Sequence, residues 1–276
     1  MTIKKALMWV LFWIGLAAIF DAGIYFYMGK KEALEFLGGY IIEQSLSLDN
    51  LFLFLLIFSS FSIPTAYQRR VLNYGIMGAI VLRLIFIVLG VALVNQFHWI
   101  LYIFGVILIF SGVKIFFKNE ENQNFQESRI LKILGKVIPV SATMEGERFF
   151  VSRNKVLYAT PLLAILVLIE GSDVIFAIDS IPAIFSITTN PLIVYTSNIF
   201  AILGLRSLYF LIEKLHSAFH LVKYGVAVIL VFVGVKLSIL FFHIEISIEA
   251  SIATIFGILA LSILASVVFK EKAATE

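Results

Sequence analysis

The sequence predicts an all-α polytopic membrane protein with about eight transmembrane helices. Of its 276 residues, 61% are hydrophobic and only 14% are charged, and the mean hydropathy is +1.02. A helix needs roughly 20 apolar residues to cross about 30 Å of hydrocarbon, and runs of that length recur throughout the chain. We therefore treat residues 1–276 as one membrane domain, with predicted spans at 7–27, 37–61, 71–94, 99–117, 157–185, 192–212, 221–242 and 250–269.

Lysine and arginine positions predict the orientation, because basic loops stay on the cytoplasmic side of a membrane. Fifteen of the 21 basic residues fall on one side of the predicted spans, and only Lys30 and Lys31 fall on the other. Both termini are therefore predicted to be cytoplasmic. The first span also has the basic-then-apolar pattern of a signal peptide, but its length favours a membrane helix.

Composition also narrows the partners and the metal chemistry. The net charge of +3 follows from the basic loops and indicates no nucleic-acid partner. The chain contains no cysteine, which excludes disulfides and thiolate metal sites within these residues. A bound metal would be held by oxygen or nitrogen, which favours hard cations.

Two parts of the chain resemble each other across a polar connector at 118–156. The segment "IFSGVKIFF" (109–117) resembles "VFVGVKLSILFF" (231–242). When Asp49 is aligned with Asp173, the arginine inside the following span, Arg83, lies 34 residues further on, and its counterpart Arg206 lies 33 residues further on. This agreement predicts a repeated three-helix unit.

The predicted repeats span 37–117 and 157–242, and helices 7–27 and 250–269 lie outside them. Because each repeat has an odd number of helices, the second would enter the membrane in the opposite sense to the first. Inverted repeats of this kind are typical of secondary transporters whose substrate site lies near the midplane.

Acidic side chains inside the spans mark the candidate site, because a charged group at the bilayer centre costs about 3 kcal/mol on insertion scales. Asp49 and Asp173 fall at similar depth in oppositely directed helices. Carboxylate, amide and hydroxyl oxygens without thiols suit Mn²⁺, Mg²⁺ or Ca²⁺. The candidate metal ligands are Glu43, Asp49, Asn50, Glu170, Asp173 and Asp179, with Ser45, Ser47, Ser172, Ser180 and Asn198 in support.

Helix geometry and the intramembrane bases complete the predicted site. A regular helix would not direct Asp173 and Asp179 at one centre, so Gly171 and Pro182 predict an interruption in span 157–185. Basic side chains inside the spans would compensate the acids or gate the site when no cation is bound. The alternative is a set of purely structural ion pairs. These bases are Arg83, Arg206, Lys114 and Lys236.

Three motifs resemble the TerC family of integral membrane proteins, which includes the tellurium-resistance TerC and Alx group. They are "EQSLSLDNLFLF" (43–54), "EGSDVIFAIDSIPAIFSIT" (170–188) and "YTSNIFAILGLRSLYF" (195–210), and the resemblance covers roughly 35–242. It implies a bacterial inner-membrane protein of metal homeostasis, chiefly Mn²⁺ efflux. The family's acidic positions would fall on Glu43, Asp49, Glu170, Asp173 and Asp179.

We therefore expect a secondary transporter that exports a divalent cation, Mn²⁺ by resemblance, as substrate rather than cofactor, with protons as a candidate counter-ion. The alternative is a metal-binding scaffold or partner subunit for metal delivery, tellurite resistance or envelope stress resistance. In that case the basic connector 118–155 would dock a protein partner. No enzymatic activity is expected, because the YD and GxGD patterns of intramembrane aspartyl proteases do not occur around Asp49 or Asp173.

Overall fold

The computed structural model describes residues 3–117, 129–141, 146–153, 156–215 and 221–269. Within these ranges, eight helices are long and apolar enough to cross a membrane, which confirms the all-α polytopic class. The helices are α1 (Ile3–Tyr27), α2 (Lys30–Ser60), α3 (Thr65–Gln96), α4 (Ile100–Phe117), α5 (Arg129–Val137), α6 (Pro161–Phe185), α7 (Pro191–Leu215), α8 (Val222–Ile239) and α9 (Ile248–Val268).

The polar connector contains regular structure that hydropathy does not predict. The short helix α5 packs against α6, and strands β1 (Phe150–Arg153) and β2 (Val156–Ala159) form an antiparallel hairpin. The hairpin region is tied to α3 by an ion pair of 3.3 Å between Arg70 and Glu147. The predicted span 157–185 therefore starts too early, because its first residues belong to β2 and α6 begins at Pro161, a residue suited to the first turn.

The predicted interruption of span 157–185 is wrong. Helix α6 is continuous, and Pro182 lies only three residues before its last residue, Phe185. A missing N–H so near the end removes one hydrogen bond without ending the helix earlier. Gly171 serves packing instead, because a Cβ at this position would lie 2.7 Å from Cδ1 of Ile130 in α5.

Helix pairing brings the two halves of the chain together. Helix α2 packs on α7, α3 packs on α6, and α4 packs on α8. Each helix thus packs against a helix from the other half of the chain, as an inverted repeat is expected to produce. The repeat itself stays a prediction. The four helices α2, α3, α6 and α7 meet around the polar residues described below.

Close contact between α4 and α8 depends on glycine. A Cβ at Gly105 would lie 2.8 Å from the carbonyl oxygen of Gly234, and a Cβ at Gly234 would lie 2.6 Å from that of Gly105. The obstructing atoms belong to backbone, so they cannot move aside without shifting a helix. Small residues of this kind allow membrane helices to pack closely.

We expect Gly234→Ala to lower the free energy of unfolding by about 1–3 kcal/mol, because the added methyl group pushes α4 and α8 apart. The matched control is Gly257→Ala in α9, where a Cβ would meet nothing within 4 Å. Reversible denaturation in mild detergent measures both. Equal stability of the two variants would show that α4 and α8 separate without cost.

Candidate functional site

Arg83 of α3 lies at the centre of a buried polar cluster. Its side chain is 0% exposed and is among the largest fully buried side chains of the described residues. Nη1 lies 2.6 Å from Oε1 of Glu43 in α2, and Nη2 lies 3.3 Å from Oδ1 of Asp173 in α6. One guanidinium therefore bridges carboxylates from two different helices.

Neutral side chains complete the cluster. Nη1 of Arg83 also donates to Oγ of Ser180 at 2.9 Å and to Oδ1 of Asn198 at 3.0 Å. The Glu43 carboxylate accepts from Nδ2 of Asn198 at 3.1 Å and from Oγ of Ser47 at 3.2 Å. We call Arg83, Glu43, Ser47, Asp173, Ser180 and Asn198 the Arg83 cluster.

Helical periodicity explains how α2 and α6 supply these groups. Glu43 and Ser47 are four residues apart, and Asp173 and Ser180 are seven residues apart, so each pair shares one face of its helix. Both faces turn towards Arg83, and α7 adds Asn198. The structure therefore brings together two of the predicted metal ligands, three of the supporting residues and one of the predicted compensating bases.

Glu170 lies beside this cluster without belonging to it. Both of its carboxylate oxygens are buried without a hydrogen-bond partner among the described residues. With Gly75, Ala79 and Asp173 it lines a cavity of about 20 Å³ between α3 and α6. A cavity of this size has room for one water molecule.

Asp179 points to a different neighbour from Asp173. Its Oδ1 accepts from Oγ of Ser111 in α4 at 2.8 Å. With Asn50 and Ser180 it lines a second cavity, of about 40 Å³. The regular helix thus directs Asp173 and Asp179 to separate places, as the six-residue spacing requires.

Asp49 lies within α2, but its side chain is outside the described residues. Among the side chains that the structure does describe, no three acidic or histidine residues come close enough together to hold a metal ion. Ser45 and Ser172 donate to carbonyl oxygens of their own helices, those of Ile41 and Leu168, so the structure does not bring them into the Arg83 cluster.

The other three predicted compensating bases do not form ion pairs within the described part of the chain. Arg206 donates to Oδ1 of Asn73 at 2.6 Å, and Lys236 donates to Oγ of Ser251 at 2.7 Å. Lys114 is exposed at the end of α4. Of these four bases, only Arg83 therefore lies within ion-pair distance of a carboxylate among the described residues.

Sequence reasoning missed Glu35, which is only 7% exposed and accepts a hydrogen bond from Thr188. The hydropathy boundary at residue 37 placed it outside the membrane. The available signal was its spacing, because Glu35 precedes Glu43 by eight residues and lies on the same face of α2.

Sequence similarity to known proteins assigns this chain to a family, although no solved structure matches it. The model of the "Integral membrane protein TerC family" matches residues 28–274. The chain is 49% identical over 270 residues to "Putative membrane-bound redox modulator Alx" of Escherichia coli (strain K12), covering 95% of this chain and 84% of that protein. It is 45% identical over 272 residues to the uncharacterized membrane protein STKORF319 of Myxococcus xanthus, covering 99% of this chain and 85% of that protein. The chain therefore belongs to the TerC family of integral membrane proteins.

Proposed function

We propose that this protein is a secondary transporter that exports a divalent metal cation, with Mn²⁺ as the first candidate, across the bacterial inner membrane. The observation that carries the proposal is the Arg83 cluster. Two carboxylates, Glu43 and Asp173, meet one buried guanidinium where four membrane helices converge. Ionisable groups within membrane helices commonly mark ion pathways.

Energetics argue that this cluster serves more than stability. Buried ion pairs often contribute little net stability, because desolvation offsets their attraction, and apolar replacements of similar volume are often tolerated. A mobile guanidinium offers a functional reason for its presence. In the proposed cycle Arg83 neutralises Glu43 and Asp173 when no cation is bound, and it withdraws when the cation takes its place.

The donor set favours a hard cation as substrate. Glu43, Asp173, Ser180 and Asn198 present carboxylate, hydroxyl and amide oxygens around one point, and Asp49 of α2 is the predicted further ligand. Such oxygens suit Mn²⁺, Mg²⁺ and Ca²⁺. Carboxylates bind metal only when deprotonated, so protons are the proposed counter-ion. We take export as the direction from the resemblance to the TerC family.

The relatives named Alx are called redox modulators, and the absence of cysteine from this chain limits which redox chemistry it could share with them. These 276 residues contain no thiol, so they cannot carry out thiol–disulfide exchange. We propose that any redox effect of this chain acts through metal transport.

Transport by the purified full chain in liposomes tests the proposal. We expect Mn²⁺ added outside to quench an enclosed Mn²⁺-sensitive dye faster than in protein-free liposomes, with competition from Mg²⁺ and Ca²⁺ reporting selectivity. No flux above the protein-free rate would refute a transporter. Mn²⁺ binding in equilibrium dialysis without flux would instead support the metal-binding scaffold.

A further inference from the structure

A stripe of small and polar residues runs along one face of α2. Its members are spaced by four, four, four and three residues, which keeps them on one side of the helix. They are buried although α2 is largely apolar: the exposed fraction is 7% for Glu35, 0% for Glu43 and Ser47, and 2% for Asn50. The α2 stripe consists of Glu35, Gly39, Glu43, Ser47 and Asn50.

The stripe links three polar places in the protein. Asn50 lines the cavity that also contains Asp179, and Glu43 and Ser47 belong to the Arg83 cluster. At the start of α2, Glu35 lines an open cavity of about 610 Å³, which we call the vestibule. The other polar residues around the vestibule are Lys31, Glu32, Thr188, Thr189 and Asn190.

The vestibule lies at the end of the bundle opposite the connector hairpin. Helix α6 begins directly after the hairpin at Pro161 and ends at Phe185, which itself lines the vestibule. The predicted orientation makes this end the outside of the cell. The vestibule is therefore at the place where an exported cation would leave.

Two contacts separate the vestibule from the Arg83 cluster. Oγ1 of Thr188 donates to Oε2 of Glu35 at 2.5 Å, which joins the start of α2 to the turn between α6 and α7. One step deeper, a Cβ at Gly39 would lie 2.7 Å from Oγ of Ser197 in α7. Helices α2 and α7 therefore pack closely at Gly39, and this packing closes the path along the stripe.

We infer that the α2 stripe is the route of the cation to the outside, and that the hydrogen bond between Glu35 and Thr188 is its outer gate. The inference rests on the proposed function and assigns Glu35 direct contact with the departing cation. A cation that leaves the Arg83 cluster meets the Glu35 carboxylate next, and engaging it releases Thr188. Lys31 lies 3.8 Å from Oε1 of Glu35 and partly offsets its charge.

Mn²⁺ flux tests the role of the Glu35 charge. We expect Glu35→Gln to reduce the flux by about tenfold or more, because an amide keeps the size of the side chain but removes the anion. Glu249→Gln is the matched control and should keep the wild-type rate. Glu249 is an exposed carboxylate of α9 that lines a separate apolar groove together with Leu34 and Leu37 of α2.

Thiol labelling tests the gate without depending on transport, because it measures the access of a reagent. The natural chain has no cysteine, so only an introduced thiol is labelled. Ser197→Cys places a thiol at a fully buried position behind the gate. We expect Thr188→Val to speed its labelling by a membrane-impermeant reagent about tenfold, the effect of losing a hydrogen bond to a charged group. The control is Thr196→Val, whose hydroxyl donates to the carbonyl of Leu192 in its own helix.

The flux and labelling measurements distinguish failure of the proposed transport function from failure of the proposed gate. A wild-type protein without flux refutes the transporter, and the labelling comparison alone then decides whether the gate exists. If the wild type transports Mn²⁺, a wild-type rate in Glu35→Gln overturns the inference. Labelling that is no faster with Thr188→Val than with Thr196→Val also overturns it.

Discussion

Replacing Arg83 with glutamine is expected to lower the free energy of unfolding by about 3–5 kcal/mol. The guanidinium is fully buried and contacts the carboxylates of Glu43 and Asp173. Removing it leaves two acids in a low-dielectric environment without a cation, and glutamine is too short to reach both. The desolvation cost of these acids is then no longer offset, which is why the expected loss exceeds that of an ordinary hydrogen bond.

Reversible denaturation of the full chain in mild detergent measures this loss. The control is Arg206→Gln, because Arg206 is partly exposed and donates to the amide of Asn73 rather than to a carboxylate. Its expected loss is about 1 kcal/mol. If Arg83→Gln lowers the free energy of unfolding by no more than Arg206→Gln does, the buried acids do not depend on Arg83 for compensation.

The second large effect is expected on transport, where Asp173→Asn should reduce Mn²⁺ flux by about 100-fold. The substitution keeps the shape of the side chain but removes the charge that would bind the cation. Arg83 retains its contacts with Glu43, Ser180 and Asn198, so the fold should survive the change. Loss of flux in a folded protein would then reflect the site and not the stability of the bundle.

Asp21→Asn provides the matched control in the same liposome assay. Asp21 is also an acid within a membrane helix, but it lies in α1, outside the Arg83 cluster. We expect it to transport at the wild-type rate. A rate for Asp173→Asn equal to that of Asp21→Asn would remove Asp173 from the set of metal ligands while leaving the transport activity itself intact.

Arg83 and Arg206 show how far the sequence could predict the site. The proposed repeat makes them equivalent, and both lie in apolar spans, so the sequence assigned them the same compensating role. In the structure Arg83 is fully buried between two acids, whereas Arg206 is partly exposed beside Asn73. The difference depends on which helices surround each arginine, and hydropathy carries no information about helix neighbours.

Local helix geometry was only partly predictable. The spacing of Asp173 and Asp179 correctly indicated that one regular helix cannot direct both at one centre, yet the inference that α6 is interrupted was wrong. The structure keeps the helix regular and gives Asp179 a different partner, Ser111 of α4. A partner on another helix could not be seen from the spacing alone.

The sequence by itself determined the membrane class and the apolar helices, because the bilayer requires long apolar segments whose backbone groups bond internally. It also identified the residue types of the candidate site, since charges inside such segments are rare and costly. Only the tertiary structure decided that Arg83 joins Glu43 to Asp173 and that Glu35 meets Thr188. These contacts join residues 40, 90 and 153 positions apart, and their formation depends on how the helices pack against one another.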